Sequence, residues 1–213
     1  MKSRTISILF LITITAWAQP KKTPPSPPAD NLELRRLFAD DMHDRGSEPF
    51  DVDENGKPVP HKEWKDSPDM TAHDAVRRKR VREMLNAGTV RTANDYVWAS
   101  FIFQHGQTPD DYLLAHVLGM IAASKGDKMG RWIAAATLDR YLQSIKQPQV
   151  FGTQLVPGPK GEPAQGEYNH DLVSNSLRAA MCVRSYEKQV EQVKQAQKQP
   201  ETADFNTGQF PCP

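Results

Sequence analysis

The chain reads as a mainly α-helical domain of stacked antiparallel helical hairpins or an irregular bundle, with a short β-hairpin or extended segment near residues 149–168. Three observations predict this. Apolar residues recur at helical spacings in several stretches, each bounded by a capping side chain, a glycine or a proline. The run Tyr96–Phe103 has no polar face, so its helix must be covered on more than one side, as stacked hairpins allow. The stretch after Pro148 instead reads as extended chain, turn and return.

The elements follow in order. Asp30 is positioned to cap a first helix carrying Leu32, Leu34, Leu37, Phe38 and Met42, and Gly46 to stop it. Residues 47–70 are acidic, punctuated by proline and glycine, and read as loop. Thr71 to Asp74 gives a capping-box-like start to a second helix that Gly88 ends. Thr92 with Asp95 opens a third, closed by Gly106. Thr108, Pro109 and Asp111 supply the N-cap, first-turn proline and third-position acid of a fourth, closed by Gly126. A fifth runs from Gly130 to Ile145, and Pro148 forbids its continuation. Gln149 to Val156 reads as extended, residues 157–161 as a turn, and Ala164 to Tyr168 as a returning strand. A long last helix is expected from Asp171 to Gln197, with Leu177, Met181, Tyr186, Val190 and Val193 as its apolar side.

The N-terminus indicates the compartment. Lys2 and Arg4 precede an apolar run, Ile6 to Thr15, too short to span a bilayer, and Ala16-Trp17-Ala18 offers small residues for cleavage. Residues 1–18 read as a signal peptide, so the protein is expected to be exported, periplasmic or extracellular, with no transmembrane segment after cleavage. Residues 19–29 hold five prolines and read as a linker. Residues 30–197 form the single helical domain and 198–213 a C-terminal tail. Cleavage removes two positive charges and takes the formal net from +1 to −1. Arg77-Arg78-Lys79-Arg80 with Arg82 is the one basic run; it reads as a solvated helix surface, and no nucleic-acid partner is expected. In an oxidising compartment Cys182 and Cys212 are expected to pair and pin the tail to the last helix.

Two resemblances add to this reading. Gly106, Asp111, Ala115, Ala122-Ala123 and Gly126 resemble the small-residue pattern of tetratricopeptide repeats of the Sel-one-like kind, over about one and a half repeats. The second rests on Asp41 and Arg45, Gln104-His105-Gly106, Asp139-Arg140-Tyr141-Leu142, and Pro148-Gln149-Val150-Phe151-Gly152-Thr153-Gln154. From about Leu32 to Tyr186 these residues resemble an uncharacterised bacterial family that is a domain of unknown function. That likeness implies a shared helical fold with a small extended segment, and no activity.

The same polar residues form the candidate site. One arrangement gathers Gln104, His105, Asp139, Arg140, Gln149, Thr153 and Gln154 into a pocket, with His105 as general base, Asp139 orienting it, and Arg140 holding an anion. The other makes them structural: Asp139 and Arg140 tie the extended segment to the helices, and the glutamines satisfy loose backbone groups. A helix C-terminus should favour protonated His105. His116, four residues from the apolar Tyr112 and Met120, reads as a satisfied core histidine. Asp51, Asp53 and Asn55 match the first half of a calcium loop, but the twelfth position is Lys62, and a hairpin or open turn around Asn55-Gly56 competes. No cofactor is implied, since there is no P-loop, nucleophile elbow or zinc signature. The expectation is an exported binding or interaction module for a peptide or protein. The alternative is a small-molecule enzyme, such as a hydrolase, using the polar pocket. A third class is an envelope scaffold tethered by its proline-rich start.

Overall fold

The computed structural model describes residues 26–45, 51–52, 58–59, 69–198 and 212. The signal peptide, most of the linker, Gly46 and the calcium-loop residues Asp53 and Asn55 lie outside them. The protein is mainly α-helical. Among the described residues the helices are α1 (Leu32–His43), α2 (Met70–Asn86), α3 (Ala93–Gln104), α4 (Pro109–Ser124), α5 (Lys128–Ser144), α6 (Asn175–Ala180) and α7 (Tyr186–Lys198). Two small antiparallel pairs accompany them, β1 (Asp51–Val52) with β2 (Pro58–Val59), and β3 (Leu155–Pro157) with β4 (Pro163–Gln165). The backbone of Asp51 therefore pairs with Val59, in keeping with the hairpin reading that competed with a calcium loop, within a stretch otherwise read as loop.

The caps explain most boundaries. Thr92 and Asp95 form a reciprocal capping box on α3, and Thr108 accepts from Asp111 N on α4. Gly88 and Gly126 take positive φ, 66° and 90°, just past α2 and α4, where a side chain would be strained. Three starts differ from expectation. Asn31, not Asp30, caps α1, because its side chain reaches Leu34 N. Asp69, not Thr71, caps α2, and Asp74 is buried in an ion-pair network instead. Asp127 caps α5, which begins at Lys128, two residues before Gly130. The long last helix is two helices. Cys182, at φ 58°, breaks it, and Leu177 and Tyr186, expected on its apolar side, are 54% and 41% exposed.

Helices α3, α4 and α5 stack as successive antiparallel hairpins. Ser100 donates to Ala115 O across the first hairpin. In the second, Gly119 lies against Ala134 and Gly130 against Ala122 and Ala123, so close that an added Cβ would meet backbone at 2.9 and 2.6 Å. The core runs through them: Leu34, Val81, Ile102, Phe103 and Leu118 join α1 to α4, while Phe101, Ala122 and Ile133 join α3 to α5. A third cluster of Ala135, Phe151 and Val183 seats the extended segment on α5. Cys182 is fully buried and bonded to Cys212, with Cα atoms 4.5 Å apart, so the tail end is pinned as expected. No described helix is long and apolar enough to cross a membrane.

Candidate functional site

The C-terminal ends of α1, α3 and α5 and the N-terminal part of α2 meet around one polar network. Pro148 and the left-handed Lys146 (φ 59°) turn the chain off α5, and Gly152 (φ 65°) folds the next residues back over Asp139. Asp139, fully buried, then accepts four hydrogen bonds: Val150 N (2.7 Å) and Phe151 N (2.9 Å) on one oxygen, Thr153 N (2.8 Å) and Thr153 Oγ1 (2.7 Å) on the other. Burial pushes its carboxyl above the usual range, against the pull of these donors. Gln149 and Gln154 close the same loop reciprocally, Gln149 Nε2 donating to Gln154 O (3.0 Å) and Gln154 N to Gln149 Oε1 (2.9 Å). Half of the motif is therefore a clamp on the extended segment.

His105 belongs to the other half. The expected orienting acid, Asp139, is taken up by three backbone N–H groups and the Thr153 hydroxyl; the acid that orients His105 is Asp41 of α1, whose Oδ2 lies 2.8 Å from His105 Nδ1. Burial, the largest influence, lowers the pKa of His105; Asp41 raises it, and Arg45 and Arg140 lower it further. The protonated form expected from the helix end is thus overturned by burial. A neutral ring donates Nδ1–H to Asp41 and turns the Nε2 lone pair toward Gln104 Nε2, 3.4 Å away. His105 O accepts from Arg78 Nη1 (3.0 Å).

Asp41 opens onto a network whose α2 members, Asp74 and Arg77, read in the sequence as a cap and a surface charge. Arg45 donates to Asp41 Oδ1 (3.0 Å) and Asp74 Oδ2 (2.6 Å). Arg77 donates to Asp44 (2.7 Å) and Asp74 (2.7 Å), and its Nε lies 3.6 Å from Asp41. Arg77 is 2% exposed, so the basic run is not wholly a solvated face. Arg178 is a further residue that sequence reasoning missed. It is fully buried and donates to Phe151 O (2.8 Å) and Gln189 Oε1 (3.0 Å). A buried arginine on a helix that reads as amphipathic leaves no periodic signal.

Arg140 links the halves. Its Nη1 donates to Gln104 O (2.9 Å) and its Nε to Gln154 Oε1 (3.0 Å). The structure therefore brings Gln104, His105, Arg140, Thr153 and Gln154 into one connected chain, with Asp139 and Gln149 as its supports. The cleft nearby, about 50 Å³ and lined by Trp132, Thr153, Gln165, Arg184 and Gln189 among others, has neither His105 nor Arg140 in its wall. It has room for a few water molecules. His116 Nδ1 lies 2.8 Å from Ala134 O, a satisfied histidine. Among the described residues no group of three or more His, Cys, Asp or Glu is arranged to hold a metal ion.

One surface beside the network stands out. Residues 112–124 of α4 include no Asp, Glu, Lys or Arg. Ala115, Leu118, Gly119 and Ala122 face the stack, while Leu113, Val117 and Met120, spaced to fall on one stripe, are 39%, 39% and 45% exposed. No family model, curated protein or solved structure matches the chain, so its function is read from this geometry.

Proposed function

We propose that the protein is an exported interaction module that binds an apolar-sided helical peptide or protein segment along the outer face of α4. The uncharged outer face of α4 carries the proposal. α3 and α5 pack against two sides of α4, and among the described residues the stripe of Leu113, Val117 and Met120 is left exposed. An apolar segment lying on such a face is a recurrent mode of peptide recognition. The leader at residues 1–18 and the Cys182–Cys212 bond support export. Likeness to the uncharacterised family is part of the same proposal and adds no activity.

Covering the remaining two fifths of each stripe residue yields about 1 kcal/mol apiece. A Val117→Lys variant should therefore fold normally and lose most binding. The test is selection of helical peptides on the mature protein, followed by methyl NMR. Shifts confined to Leu113, Val117 and Met120, abolished in Val117→Lys, support the reading. Selected peptides that bind Val117→Lys equally well, or shifts elsewhere, refute it. Concentration-dependent self-association lost in Val117→Lys would replace the foreign segment with a second copy.

The enzymatic alternative rests on one specific observation, the His105–Asp41 pair at 2.8 Å. Against it, Nε2 already faces the Gln104 amide and the nearby cleft excludes it.

A further inference from the structure

We propose that Arg140 is a preformed carboxylate-binding site and anchors an acidic group of the ligand. Arg140 is the cation of the network that lacks an acid. Arg45 and Arg77 are each tied to aspartates, whereas among the described residues Arg140 has no carboxylate within 4.0 Å. Its acceptors there are the neutral Gln104 carbonyl and Gln154 amide oxygen.

Those acceptors also aim it. Gln154 Oε1 holds Nε, and Gln154 is itself fixed by donating Nε2 to Ala136 O (3.1 Å) and Thr153 Oγ1 (3.0 Å), which sets which amide atom faces Arg140. Gln104 O takes one Nη1 hydrogen. Among the described residues Nη2 and the second Nη1 hydrogen have no protein partner, and Nη2 is not among the fully enclosed unpaired atoms, so this largely buried guanidinium keeps one edge that is not sealed. Nη2 is the end of the guanidinium left for a ligand oxygen, and a carboxylate would take it in a charge-assisted hydrogen bond. The surrounding charges favour an anion. Arg45 is the cationic neighbour that does so, and Tyr112 of α4 is the other electrostatic neighbour. Tyr112 immediately precedes Leu113, so Arg140 lies at the α4 end where the apolar stripe begins. The three stripe residues are a small surface for stable association, and a buried, pre-oriented charge contact would supply what they lack. That the carboxylate belongs to the segment on α4 rests on the proposed function; the carboxylate site itself does not.

The experiment is NMR of the Arg140 Nε–H signal in the mature wild-type protein at fixed ionic strength. The small probes are acetate, inorganic phosphate and chloride. The peptide probes are N-acetylated tetraglycine with a free C-terminal carboxylate, the same peptide as its C-terminal amide, and an acetylated, amidated tripeptide with one central aspartyl side chain. Saturable shifts are expected with acetate and the free-acid tetraglycine, at least fivefold tighter than with the tetraglycine amide or chloride. The tighter of the free-acid tetraglycine and the aspartyl tripeptide identifies a terminal or a side-chain carboxylate as the source. Arg140→Gln, checked for folding by circular dichroism and read at the Thr153 and Gln154 backbone amides, should lose the saturable shifts that those amides show in the wild type. Arg91→Gln on the exposed surface should not, and Val117→Lys should leave acetate binding intact. Equal response to the free acid and the amide, no saturation beyond chloride, or tighter binding of phosphate than acetate would overturn the proposal. Because the wild-type signal is read directly, the test survives even if Arg140→Gln fails to fold.

Discussion

Replacing Asp139 by Asn tests whether this residue is a clamp. The carboxylate has two oxygens and four donors: Val150 N and Phe151 N on one, Thr153 N and Thr153 Oγ1 on the other. An asparagine keeps one oxygen. Whichever way the amide turns, its NH2 faces at least one backbone N–H that has lost its acceptor. The Thr153 hydroxyl could rotate to accept, but Thr153 N–H cannot. An orphaned buried donor costs about 1–3 kcal/mol, and the surviving bonds lose their charge assistance. Relief of a buried charge offsets part of this, leaving about 3 kcal/mol of destabilisation. In a domain of this size that lowers Tm by about 6–12 °C. Circular dichroism melts of the disulfide-bonded protein measure the total. Hydrogen exchange at Val150, Phe151 and Thr153 tests the location, since those amides should lose protection while α3 keeps it. A variant melting within about 2 °C of wild type, with the three amides still protected, refutes the clamp.

Other outcomes follow from the same geometry. Gly130→Ala puts a Cβ within 2.6 Å of Ala123 N and 2.7 Å of Ala122 Cβ, and rigid backbone on the α4 side should make it about 2 kcal/mol less stable by thermal melt. Cys212→Ser opens a bond spanning 30 residues, and the loop-closure relation gives about 3.5 kcal/mol of lost stability, readable as a lower urea midpoint that reducing agent no longer shifts. His105 has a folded-state pKa below 6.5, so the unfolded chain takes up a proton first and stability should fall as pH drops from about 6.5 toward the folded value. His105→Gln should flatten that part of the pH–stability curve; an unchanged slope would place His105 outside the buried network.

Much of this fold is legible in the sequence because its signals are local. Thr92/Asp95 and Thr108/Pro109/Asp111 specify helix starts within four residues, and Gly88 and Gly126 specify stops by backbone geometry alone. Legibility fails where a polar residue has two uses. Asp74 looks like a cap and is an ion-pair partner; Arg77 looks like surface and is buried. The break between α6 and α7 falls at Cys182, buried in a left-handed conformation that no glycine or proline announces. The motif residues stand out as unusual for a helical core, but their pairing is not legible. Chemistry alone matches Asp139 with His105, whereas the donors that saturate Asp139 are three backbone N–H groups and the Thr153 hydroxyl, brought over it by Gly152, and the acid that reaches His105 comes from a position 64 residues away.

The polar network and the apolar stripe are complementary consequences of the same stack. Three antiparallel helices bury α4 on two sides and bring the ends of α1, α3 and α5 together at one pole. At that pole the unpaired helix carbonyls and the loop leaving α5 must find partners. Gln104 O goes to Arg140, His105 O to Arg78, and the loop amides to Asp139. Most of the polar motif is thus explained by backbone satisfaction, which removes the need for a reaction to account for it. Two features are not so explained: the open end of the Arg140 fork and the uncharged outer face of α4. Neither stabilises the isolated domain, and both are suited to a partner that brings one carboxylate and an apolar face.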